Sequence, residues 1–117
     1  MNVQPQDVSN HFEGRSPKVR QIYDRLLDAA GAFGPVKEDP KKTSIHLNRR
    51  TAFAGVATRK ESLILTLKSA RDIQSARIAK HEQASANRWH LEVKLVDPAD
   101  VDPELIGWLK DAYDISG

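Results

Sequence analysis

Between Thr43 and Ser69 apolar and polar residues alternate with period two, at Ile45/Leu47 and again at Leu63/Leu65/Leu67, and charged breaks at Asn48-Arg49-Arg50 and Arg59-Lys60-Glu61 interrupt the alternation. Such a pattern predicts three consecutive antiparallel strands joined by short turns. The first, Thr43 to Asn48, turns Ile45 and Leu47 inward and Ser44, His46 and Asn48 the other way. The second, Ala52 to Ala57, is apolar on both faces and small apart from Phe53; with Gly55 it reads as a central strand that another backbone, a helix or a ligand can approach closely. The third, Leu63 to Lys68, sends its leucines to the core and Ile64, Thr66 and Lys68 away from it.

Helical spacing brackets this sheet. Ser16-Pro17 supplies an N-cap and a proline at the first helical position, and Val19, Ile22, Tyr23, Leu26, Leu27 and Ala30 form one apolar stripe before Gly31 and Gly34-Pro35. Asp102-Pro103 repeats the device ahead of a closing helix, Glu104 to Asp114, that buries Leu105, Trp108, Leu109 and Ala112. Val36 to Asp39 predicts a short edge strand, guarded by Pro40 and the Lys41-Lys42 pair. Trp89 to Leu95 alternates clearly, with Trp89, Leu91, Val93 and Leu95 inward and His90, Glu92 and Lys94 outward. Residues 70–86 are ambiguous: helix propensity and a Ser69/Asp72 capping pattern compete with a hairpin whose first arm is Ala76 to Gln83. Residues 1–14 read as a polar tail in which His11 and Phe12 are able to fold back, and residues 15–117 as one domain. The expected architecture is an α+β two-layer sandwich: a mainly antiparallel five- or six-stranded meander with both terminal helices on one face.

At 117 residues without cysteine, the chain excludes disulfides and thiolate metal sites and suits a reducing cytoplasm, the expected location. Neither a signal peptide nor a membrane span is expected. The net charge of +2 conceals a segregation: residues 37–94 hold thirteen Lys/Arg against six acids, and residues 95–117 hold six acids against Lys110. A basic sheet beside an acidic helix marks either an anion-binding surface or a solvated face with its neutralising neighbour.

Several blocks are similar to a known family: Phe53-Ala54-Gly55-Val56 with Arg59-Lys60, Leu63-x-Leu65-x-Leu67, Trp89-His90-x-x-Val93-x-Leu95, Asp100-Val101-Asp102, and Leu105-x-x-Trp108-Leu109-x-x-Ala112-Tyr113. They resemble the bacterial family catalogued as domain of unknown function 5655, from about Phe12 to Ile115. The resemblance implies a small α+β domain without assigned activity, found alone or attached to nuclease-like or restriction-related modules. It also implies the hairpin for residues 76–95, and it assigns no catalytic residue.

The candidate ligand-binding set is the outward face and its rim: His46, Asn48, Arg50, Phe53, Arg59, Lys68, Arg77, Lys80, His90 and Lys94, together with Thr66 and Glu92. Basic side chains around an aromatic platform, here Phe53, are what single-stranded nucleic-acid binders present. The ordinary wet face of a half-buried sheet carries the same residues, since there is no aromatic ladder. His46, His90 and Glu92 are candidates for metal ligation or acid–base work, and the sequence offers no His-x-x-x-His, no Glu-x-x-His and no neighbouring second carboxylate. Asp97, Asp100, Asp102 and Glu104 resemble a calcium loop in composition alone, and Asp102 reads as a helix cap. Nucleotide-hydrolysis loops and nucleophile elbows are absent from the sequence. No cofactor or metal is expected. The chain therefore reads as a binding module for nucleic acid or another anion, with a nuclease-like partner protein implied by the resemblance. The alternatives are a protein-interaction or homodimerisation domain and, in another class, a small-molecule binder or enzyme using His46 or His90.

Overall fold

The computed structural model describes residues 8–117. Helix α1 (Pro17–Gly31) starts where the Ser16 hydroxyl accepts from the Lys18 amide at 3.4 Å, and it buries Val19, Ile22, Tyr23, Leu26 and Ala30. Leu27, placed on the same stripe by spacing, lies at the margin of the core. The chain leaves α1 through Ala32, and the glycine the exit requires is Gly34, at φ +152°: a Cβ there would stand 2.5 Å from the Tyr113 hydroxyl. That hydroxyl donates to the Pro35 carbonyl at 3.0 Å, tying the α1 exit to the second helix.

Six strands follow: β1 (Lys37–Pro40), β2 (Ile45–Asn48), β3 (Ala52–Thr58), β4 (Leu63–Ser69), β5 (Ile78–Ser85) and β6 (Arg88–Leu95). All pairings are antiparallel, and the spatial order is β1-β2-β3-β4-β6-β5. The first four strands form a simple meander; β6 then pairs with β4, leaving β5 as the outer edge. Pro40 is tolerated in β1 because an edge strand can spare a ladder donor. In register, Ile45, Val56, Leu65 and Val93 make one apolar row across the sheet, and Leu47, Ala54, Leu67 and Leu91 the next. Both rows are buried.

Helix α2 (Pro103–Asp114) closes the same face with Leu105, Leu109, Ala112 and Tyr113, packing on β3, β4 and α1. Trp108 is only partly buried at its edge. The result is the α+β sandwich with both helices on the leucine face of the sheet. Each large side chain withdrawn from water there contributes up to about 1.5–3 kcal/mol before chain entropy is counted.

Residues 70–77 contain no helix. The Ser69 hydroxyl donates to the Arg71 carbonyl and accepts from the Arg71 amide, so it folds a local turn in place of a capping box. The β5–β6 ladder and the burial of Ile78 opposite Val93 outweigh the helix propensity of the segment. The stretch expected as a tail is in part structured. Val8–Phe12 forms a 3₁₀ turn, Phe12 packs on Tyr23 with ring centroids 5.2 Å apart, and a His11 ring nitrogen lies 2.8 Å from the Lys41 carbonyl. Residues 1–7 lie outside the described part of the chain.

Candidate functional site

Among the described residues no helix covers the other face of the sheet. Its middle row runs Asp39, His46, Gly55, Thr66, Glu92 and Lys80 from β1 to β5, and the next pairs Lys68 with His90 and His90 with Glu82. Over β3, where side chains are smallest, lies a groove of about 300 Å³. Ser44 and His46 form one wall, Thr66, Lys68 and His90 the other, and Ala52, Gly55 and Ala57 lie in its floor. The geometry follows from alternation. Period-two spacing places His46, Thr66, Lys68 and His90 on one side, and the run of small residues on β3 leaves a trough between them.

Every ionisable residue lining this groove is basic: His46, Lys68 and His90. Lys68 is half-buried, and its ammonium donates to the Thr51 hydroxyl at 3.0 Å. Desolvation, with a smaller push from the Arg88 charge, holds its pKa below the ordinary lysine value. Carboxylates stand at the margins. Asp39, opposite His46, is held by Lys41 at 2.9 Å, and that hydrogen bond, more than the one from Asn48, lowers its pKa. Glu82 lies 3.7 Å from His90, with both side chains well exposed.

The sequence-predicted residues separate into three groups. His46, Lys68 and His90 come together around the groove. Lys80 and Lys94 are exposed on the same face further toward β5 and β6, while Arg50 and Arg59 lie in the turns flanking β3, where Arg59 donates to the Thr58 carbonyl. Asn48 faces β1; its carbonyl oxygen is buried without a hydrogen-bond partner. Arg77 leaves the set, and Phe53 lines the groove only from beneath. The β2–β3 register shifts between Leu47 and Asn48, which pair with Ala54 and Ala52, so Phe53 is the extra residue of a bulge. Fully buried, its ring lies edge-on to Tyr113 at 5.3 Å and offers no platform to a ligand. Arg77 turns to the acidic segment instead: it donates to Asp102 at 2.9 Å, to Glu104 at 3.1 Å and to the Asp100 carbonyl, with its guanidinium over Trp108.

Glu92 shares the row of His46 three strand steps away, roughly 14 Å at the usual strand spacing, and His90 lies two residues further along β6. The three cannot share one metal ion, and no metal-ligand cluster occurs among the described residues. The acids between β6 and α2 are engaged within the chain. Asp97 accepts from Ala99, Asp100 from the amides of Val96 and Asp97, and Asp102 caps α2 by accepting from Leu105. Sequence reasoning missed Thr51 and Arg88, which reach Lys68 from a turn and a hairpin tip, because only the register between distant strands brings them near.

A family model described as Domain of unknown function (DUF5655) matches residues 8–116, and the chain belongs to that family. No curated protein matches the chain, and no solved structure does. No helix among the described residues is long and apolar enough to cross a membrane.

Proposed function

For a member of a family whose chemistry is unassigned, we propose a non-catalytic binding module whose open sheet face recognises an anionic ligand, specifically single-stranded nucleic acid. The observation that carries this reading is the groove's lining: Lys68 and two histidines with no acid, Lys68 being held partly desolvated with a neutral hydroxyl as its hydrogen-bond partner. A cation in that setting gains from a phosphate what a surface lysine already gains from water. Lys80 and Lys94 add positive charge on the same face, beside Glu92. With Phe53 buried, stacking on a base would fall to the imidazoles of His46 and His90.

The test is fluorescence anisotropy of a short labelled single strand at several salt concentrations. Affinity falls linearly on logarithmic axes as salt rises, and Lys68→Ala and Lys94→Ala each weaken binding and reduce the slope by about one. Arg77→Ala, which removes a base engaged by Asp102 and Glu104, leaves the slope unchanged. Binding that is indifferent to salt, or equal in all variants, overturns the reading.

A further inference from the structure

Gly55 forgoes a side chain at the centre of the groove, and nothing among the described residues requires it to. Its φ lies outside the left-handed region, which among the described glycines only Gly14 and Gly34 occupy. A Cβ built on it would meet His46 Cδ2 and Thr66 Cβ, each at 3.9 Å, which is ordinary van der Waals contact. Among the described residues no other atom outside its own chain neighbours comes within 4 Å of that point, so no described helix or loop needs the space. Glycine inside a strand is less stable than alanine, because it loses more backbone freedom on folding and packs nothing. The missing side chain leaves exposed peptide plane between an imidazole and a threonine, with Ala52 and Ala57 keeping the floor low on either side.

Resting on the anion-recognition reading above, we propose that this groove seats a single nucleotide unit, its heterocycle flat over Gly55 between His46 and the Thr66/His90 wall and its phosphate on Lys68. Three features select that chemistry. The volume of about 300 Å³ is at the lower end for small-ligand sites and suits one unit of this size. The Gly/Ala floor offers a flat apolar surface to a ring and nothing to a hydrated inorganic ion. The basic walls, with Arg88 contributing to the field at Lys68, supply the charge for a phosphate. The unit can come from a free nucleotide or from one residue of a strand, and the chemistry recognised is the same.

Calorimetric titration with AMP, inorganic phosphate and a short single-stranded oligonucleotide, on wild type, Gly55→Ala, Gly55→Val and Lys68→Ala, tests the assignment. AMP binds wild type while inorganic phosphate alone binds at least tenfold more weakly. Gly55→Val lowers AMP and oligonucleotide affinity at least tenfold with a melting temperature equal to or above wild type, and Gly55→Ala does so more mildly, adding only the tolerated Cβ. An oligonucleotide tighter than AMP identifies a strand as the source, and equal affinities identify the free nucleotide. If Gly55→Val binds the oligonucleotide like wild type while Lys68→Ala does not, the nucleotide seat is wrong and recognition by the basic face survives. If neither AMP nor oligonucleotide binds wild type, both fall.

Discussion

Phe53 sits where the β2–β3 register slips, and the extra residue turns its ring from the open face into the core against Tyr113. Simple alternation put it beside Gly55 on the ligand side, and nothing in Ala52-Phe53-Ala54 signals the bulge. The turn that imposes it is held from far along the chain: the amides of Arg50 and Thr51 both donate to the Ser116 carbonyl at 3.1 Å, while Arg49 stacks over Tyr113 and donates to the Tyr113 carbonyl. Arg77 escaped prediction for a similar reason, since its partners lie 25 and 27 residues away. By contrast His46, Thr66, Lys68 and His90 were legible, because strand periodicity alone decides their side. Phe53→Ala is expected to destabilise the fold by about 3–5 kcal/mol in urea unfolding, the cost of a large core aromatic. A loss near zero would return the ring to the surface.

At the scale of elements, both helix starts were legible because Ser-Pro and Asp-Pro carry their own mechanism, and the leucine alternation of β4 fixed the buried face. Residues 70–86 were not, because their helix propensity is local and the β6 ladder that overrides it is not. Asp102 lies where two such elements join: it caps α2 and pairs with Arg77 from the approach to β5. Its pKa is depressed, first by the hydrogen bond from the Leu105 amide and then by Arg77. A carboxylate lowered on folding contributes stability that is present above its unfolded pKa and is lost as pH falls through its folded pKa. The thermal midpoint of wild type should therefore decline as pH drops below the ordinary aspartate value of 3.8. Asp102→Ala is expected to melt lower at neutral pH and to show a shallower acid decline. An identical acid limb in the two proteins would remove Asp102 from the account.

Over the whole molecule, charge and architecture divide the same way. The helices occupy one face and Asp97, Asp100, Asp102 and Glu104 are engaged by caps and by Arg77, while bases line a trough over β3 on the open face. The proposed anion recognition rests on this partition and not on the net charge of +2. The sequence disclosed the imbalance of charge; the register that gathers His46, Lys68 and His90 and disperses His46 from Glu92 belongs to the fold. The most direct measurement is a map of backbone amide chemical shifts as a short single strand is added at low salt. The account predicts movement concentrated at His46, Gly55, Thr66, Lys68 and His90 and reversed by added salt. Shifts confined to the helices and the Val8–Phe12 turn, or no shifts at all, would contradict it.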